Sequence, residues 1–101
     1  MKTRSDLHEV LCAILGTRNV YYQPPESVKI SYPAIIYKKA RIDMIHADDL
    51  PYKLNNRYDI LVIDKKVDNT IVEDLLHLPY CSYDRRYISD NLYHDALRIY
   101  L

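Results

Sequence analysis

At 101 residues the chain has room for one domain and one core, so residues 1–101 read as a single unit that buries about 60 to 70% of its unfolded surface. Its 14 Lys and Arg balance its 14 Asp and Glu, which excludes the global positive field that draws a protein onto nucleic acid or an anionic membrane. The single glycine, Gly16, excludes glycine-rich phosphate loops, and no apolar run reaches the roughly 18 residues of a membrane span.

The first residues lack the charged, apolar and small-residue succession of a signal peptide. They lead into an amphipathic segment, residues 5 to 15, where Leu7, Val10, Leu11, Ile14 and Leu15 recur at helical spacing on one face. Ser5 is the expected N-cap, Asp6 and Glu9 sit near the positive end, and Gly16 supplies the left-handed stop. Asn19 to Tyr22 read as a short strand, broken by Pro24 and Pro25, and a loop continues to Ser31.

Residues 34 to 46 and 52 to 64 are two long strand-type runs about the turn-rich cluster Asp48, Asp49, Leu50 and Pro51. They predict one long hairpin, spanning about residues 34–64. Even positions are apolar in both runs: Ala34, Ile36, Ala40, Ile42 and Met44, then Tyr52, Leu54, Tyr58, Ile60 and Val62. Even should therefore face even, through a connecting loop of odd length. Near the base Ile35, Tyr37, Leu61 and Ile63 are apolar as well, which implies burial on both faces there. A strand from Ile36 to Ala47 is about 35 Å long, against a radius of gyration near 13 Å for a domain of this size. The tip is thus expected to project. It carries Ile42, Met44, His46, Asp48, Asp49, Tyr52 and Leu54, which we take as the candidate protein–protein interface.

Asn69 or Thr70 can cap a second helix, with Thr70 and Glu73 at capping-box spacing, Ile71, Val72, Leu75 and Leu76 on its apolar side, and Pro79 beyond its end. Residues 80 to 87 and 92 to 101 are two further strands about Ser89, Asp90 and Asn91, with Tyr93, Leu97, Ile99 and Leu101 alternating in the last. The order α-β-β-β-α-β-β predicts an α+β fold, two helices on a mainly antiparallel sheet with a long projecting hairpin.

Chemistry-bearing residues are sparse. Cys12 and Cys81 lie far apart at no metal-like spacing and read as reduced, packed thiols. His8, His46, His77 and His94 fall in four different elements, and no metal or other cofactor is expected. His94 and Asp95 are adjacent in a strand and so point to opposite faces, which prevents a catalytic dyad. Asp64-Lys65-Lys66 imitates half of a Mg²⁺-dependent nuclease motif that Asp43 and Glu9 would complete. A charged exit from a buried strand explains the same three residues more simply, so no catalytic residue is assigned and the chain is not read as an enzyme. All 11 aromatic residues are tyrosines, a type suited to half-buried and interface positions and also a substitute for Phe in strands.

The segment Asn19-Val20-Tyr21-Tyr22-Gln23-Pro24-Pro25 with Tyr32-Pro33-Ala34-Ile35-Ile36-Tyr37 resembles a family of short proteins encoded in the head-tail gene clusters of siphophages and prophages of Gram-positive bacteria. Ala47-Asp48-Asp49, Arg57-Tyr58, Val62-Ile63-Asp64, Leu78-Pro79-Tyr80-Cys81 and the stretch from Tyr83 to His94 extend the likeness over nearly the whole chain from Gly16 on. The order of elements is also similar to that of tail terminators. This resemblance implies a virion structural protein at the tail end of the neck, assembled in the host cytoplasm. Its partners would be itself, as a homo-oligomeric ring of six, the tail tube protein and the head-tail connector. No membrane and no sequence-specific nucleic acid is implied. Another neck or head-completion component of the same gene cluster is the alternative.

Overall fold

The computed structural model describes residues 3–47, 50–68 and 70–101, with the backbone alone for 41–47 and 50–55. The elements follow the expected order: α1 (Arg4–Leu15), β1 (Val20–Tyr22), β2 (Ala34–Ala47), β3 (Leu50–Asp64), α2 (Ile71–Leu76), β4 (Cys81–Ser89) and β5 (Leu92–Tyr100). The fold is α+β, with both helices against one face of a five-stranded sheet ordered β1-β2-β3-β5-β4. Only β1 runs parallel to its neighbour, pairing Val20 with Ile35 and Tyr22 with Tyr37.

Helix α1 begins one turn-fraction earlier than Ser5 would start it. Thr3 is the N-cap: its Oγ1 accepts from the Asp6 N–H at 3.2 Å, and Asp6 Oδ2 accepts from the Thr3 N–H at 3.3 Å. The reason is reciprocal spacing, because three residues after Thr3 stands a carboxylate, whereas three after Ser5 stands His8. Gly16 closes the helix at φ 83°, its N–H reaching the Cys12 carbonyl at 2.9 Å. Leu7, Leu11 and Cys12 are buried, with Ile14 and Leu15 packed beside them.

Helix α2 is shorter than its apolar spacing suggests. Thr70 is its N-cap but makes no side-chain cap hydrogen bond, so the expected capping box is not formed, and Asn69 lies outside the described residues. Leu75 is fully buried while Leu76 is exposed. The six-residue helix turns Leu75 into the core with Ile71 and Val72 partly buried beside it, and Leu76 falls on the outer side.

The hairpin departs from the expected register in an informative way. At the base even faces odd: Ile35 pairs with Val62, Tyr37 with Ile60 and Lys39 with Tyr58. Ala40 is then an extra residue on β2, after which Ile42 pairs with Asn56 and Met44 with Leu54, even with even as the pattern requires. Tyr52 is an extra residue on β3 and shifts the pairing back, so that Ala47 meets Leu50. Strands that run this far leave only positions 48 and 49 between them, not a loop of odd length. Bulges supply the parity change that we expected from the loop. The core at the base thus combines odd residues of β2 (Ile35, Tyr37) with even ones of β3 (Tyr58, Ile60, Val62) and with Leu97 and Ile99 of β5. On the other face Ala34 and its partner Ile63 are buried too, so the hairpin base is covered on both sides there.

Projection follows from the ladder. Strand β3 pairs with β5 only from Arg57 to Asp64, whereas its pairing with β2 continues to Leu50. Beyond Arg57 the sheet is two strands wide. The radius of gyration is 14.7 Å and the long axis 51 Å, against transverse extents of 28 and 24 Å.

Leu11, at zero exposure in the centre of the helix–sheet contact, should cost about 2 to 5 kcal/mol when cut to Ala. Exposed Leu76, changed the same way, should stay within about 0.5 kcal/mol. Urea unfolding of both variants checks the pair, and equal effects would mean that the helix does not anchor the core.

Candidate functional site

The residues expected at an interface divide into two groups. Ile42, Met44, His46, Tyr52 and Leu54 all lie in the two-stranded ribbon, Met44 opposite Leu54 and His46 opposite Pro51, with their backbone alone described. Asp48 and Asp49 lie outside the described residues.

The nuclease-like residues are not brought together. Strand β2 begins beside the end of β3, Ala34 pairing with Ile63, so Asp43 is nine positions from Asp64, about 30 Å along the ladder. Glu9 lines a different depression from Asp64 and pairs with Arg18 at 3.0 Å. Asp64 itself is buried and accepts the Lys66 N–H at 3.2 Å, closing the turn that leaves the strand. Among the described residues no group of three His, Cys, Asp or Glu is placed to hold a metal ion. Both cysteines are free.

His94 and Asp95 separate to opposite faces as alternation demands. His94 stacks on Tyr87, with ring centroids 4.8 Å apart and planes 11° from parallel. Asp95 turns inward and is 2% exposed. It accepts from the Tyr83 hydroxyl at 2.8 Å and, in a two-point contact, from Arg86 Nε at 2.9 Å and Nη2 at 3.1 Å. Regular alternation on β4 would place Tyr83 with Arg85 and leave Arg86 on the other side. Asp84 is an extra residue there, between the pairs Tyr83–Leu97 and Arg85–Ala96, and it brings Arg86 directly opposite Asp95. Donating to the Asp95 carboxylate raises the pKa of the Arg86 guanidinium, and burial followed by the Asp95 contact holds the Tyr83 hydroxyl un-ionised to higher pH. This network borders an open depression of about 980 Å³ under α2, shared with Asp64, Asp68, Thr70 and Glu73. The sequence carries its signal, an acid at the parity of buried Leu97 and Ile99, but a reading that seeks a partner for His94 passes over it.

A second cluster joins α1 to the sheet. Tyr37 is fully buried, and its hydroxyl accepts from Arg4 Nη1 at 3.1 Å and shares a 2.7 Å hydrogen bond with His8 Nδ1. Arg4 lies over the Tyr22 ring at 4.4 Å, and the Tyr22 and Tyr37 rings are 4.9 Å apart. Burial raises the pKa of both Tyr37 and Tyr58, the Arg4 contact opposing it at Tyr37.

The helix-free face of the sheet is open. A groove of about 410 Å³ runs over Ile36, Leu61 and Ala96 and is rimmed by charge. Arg57 pairs with Asp59 at 3.4 Å and Arg98 with Asp84 at 3.2 Å. Arg57 Nε is nonetheless buried without a hydrogen bond, while Lys38 and Arg85 are exposed with no ion pair among the described residues.

Breaking the Asp95 contact should expose its weight. Arg86→Met strands a buried carboxylate, at a cost of about 2 to 3 kcal/mol, below the 3 to 5 of a fully buried pair because the Arg86 side chain is 39% exposed. A double-mutant cycle with Asp95→Asn in denaturant should give a coupling of about 1 kcal/mol or more. Additive effects would contradict the two-point contact. Tyr58 supplies a pH test. The unfolded side chain ionises near 10, and burial holds the folded one un-ionised above that. Its stability contribution is therefore complete below about pH 10 and is lost as pH climbs through the folded value. Tyr58→Phe should flatten the alkaline fall in unfolding midpoint, and an unchanged slope would remove Tyr58 as a cause. No protein-family model, curated protein or solved structure matches the chain.

Proposed function

We propose that the chain is a virion structural subunit, a tail terminator that closes into a ring on the tail tube and meets the head connector. The observation that carries the reading is the two-stranded ribbon beyond Arg57, where β3 has lost β5 but still pairs with β2. An isolated two-stranded hairpin is marginally stable in water. A 101-residue chain that commits both strands to such a ribbon uses it best against a second molecule, and the sequence places Ile42, Met44, Tyr52 and Leu54 there. Ring closure requires one patch to meet a different patch on the next copy, and a projecting arm supplies a patch unlike any on the body.

The remaining edge supports the same division of labour. Strand β4 is the sheet's long edge, yet it carries the Asp84 bulge and the charged side chains of Arg85 and Arg86, devices that discourage strand addition. Assembly through the arm leaves that edge unused. The resemblance to head-tail gene-cluster proteins and the order of elements point to the same role.

Replacing Ile42 and Met44 together by Ser should leave the monomer folded by circular dichroism and abolish ring formation in sedimentation and negative-stain images. Each buried side chain would otherwise supply about 1.5 to 3 kcal/mol before ordering costs. Rings that persist in the double variant, or a variant that unfolds, would refute the arm as interface. In a phage lacking the gene, overlong tails would identify a terminator, and normal tails detached from full heads would reassign the chain to head joining.

A further inference from the structure

We infer that the two opposite faces of the sheet bind each other between copies: the open face of one chain seats the α2 side of the next. The inference rests on the assembly reading above and adds to the arm a second contact, between the bodies.

Charge and apolar exposure carry it together. The open groove sets Lys38, Arg57, Arg85 and Arg98 against Asp59 and Asp84, with Glu26 in the depression that adjoins Lys38. That face keeps a surplus of one positive charge, or two with Lys39, which lines the same depression. The α2 side has the opposite balance. Its depression sets Asp64, Asp68, Glu73 and Asp95 against Lys66 and Arg86, a deficit of two, and the flanking charges Lys65 and Asp74 cancel. Lys38 and Arg85 on the open face, and Asp68 and Glu73 on the α2 side, are exposed and outside any ion pair among the described residues. Around α2, Val67, Leu76 and Tyr83 are 47, 40 and 43% exposed. The groove answers them with a partly exposed floor of Ile36, Leu61 and Ala96. An apolar centre within rims of opposite charge is the composition of a protein–protein contact.

A chain cannot close this contact on itself. Both helices lie on one face of the sheet and the groove on the other, so the sheet stands between a chain's own groove and its own α2. The two surfaces meet only between copies, each chain giving one face and receiving on the other, which is the heterologous contact a closed ring needs. A nucleic acid fits the open face less well, because a continuous polyanion would run against Glu26, Asp59 and Asp84.

The full-length protein tests this by charge exchange, with circular dichroism and melting temperature confirming each variant's fold. Lys38→Glu with Arg85→Glu should weaken association in sedimentation velocity by about a hundredfold or more, as should Asp68→Lys with Glu73→Lys. Should the second pair fail to fold, Asp68→Asn with Glu73→Gln takes its place, with an expected weakening of about tenfold. An equimolar mixture of the two charge-reversed variants should associate again, since opposite signs then meet at every junction, and all four reversals in one chain should do the same. Association unchanged by the open-face variant overturns the docking inference and leaves the assembly reading standing. Rings lost in that variant but kept when Ile42 and Met44 are Ser support the docking and remove the arm. A wild-type chain that stays monomeric at every concentration, alone and with tail tubes, overturns both. Loss of association without rescue in the mixture or the fourfold variant overturns α2 as the occupant. If the wild type binds a labelled single-stranded oligonucleotide and the open-face variant does not, the face belongs to nucleic acid and the inference falls.

Discussion

Side chains alternate along a strand, so one extra residue moves everything beyond it to the opposite face. Three such residues, Ala40, Tyr52 and Asp84, decide what meets what in this sheet. Ala40 lets the base of the hairpin put Ile35 and Tyr37 into the core while the distal ribbon pairs Met44 with Leu54. Asp84 sets Arg86 opposite Asp95 and leaves Arg85 on the open face with Tyr87 and Arg98. Without the bulge Asp84 would pair with Ala96 and Arg85 with Asp95, exchanging the places of Arg85 and Arg86 and bringing a carboxylate onto the open face. The inner network and the outer charge pattern therefore depend on the same backbone irregularity.

How much of this could be read from the residues depends on which physical rule each feature obeys. Local rules were legible. Helical spacing located α1, Gly16 marked its end, and Ser89-Asp90-Asn91 marked a turn in which Asp90 and Asn91 adopt φ of 53° and 62°. The hairpin and its projection followed from strand length. Features set by pairing across the sheet were not legible. A bulge leaves no mark in a pattern where apolar residues occupy both parities, as they do from Ala34 to Tyr37. The parallel docking of β1 on β2 depends on the path of residues 23–33, which no periodicity records. Thr3 and Ser5 both satisfy the N-cap preference, and what separates them is the residue three places on. Asp95 was visible as an acid in an apolar register, but its meaning required Arg86, whose position the bulge determines. The residues proposed for an interface fall in the segment beyond Arg57, where β3 pairs with β2 and no longer with β5.

The tyrosine-only aromatic inventory serves two ends. Tyr37 is fully buried, and a phenylalanine there would leave Arg4 and His8 facing an apolar ring without their hydrogen-bond partner. Tyr58 and Tyr22 pack against it. Tyr80, Tyr83 and Tyr87, by contrast, are 80, 43 and 38% exposed, on or beside the edge strand. A ring with a polar tip tolerates water on one side and packing on the other, which fits these positions at the sheet's edge.

Stability and assembly pull in different directions in a chain of this length. A domain near 100 residues is expected to have a radius of gyration of about 13 Å, and the observed 14.7 Å with a 51 Å long axis marks residues held away from the core. Those residues add ordering cost without adding core burial. The core compensates by density around few elements: Leu7, Leu11 and Leu75 from the helices close over Ile35, Tyr37, Ile60, Val62, Leu97 and Ile99, all but fully buried. A contact made only between copies is sensitive to concentration and to the arrival of a template, which is the behaviour that the proposed role asks of a subunit joining a finished tail tube.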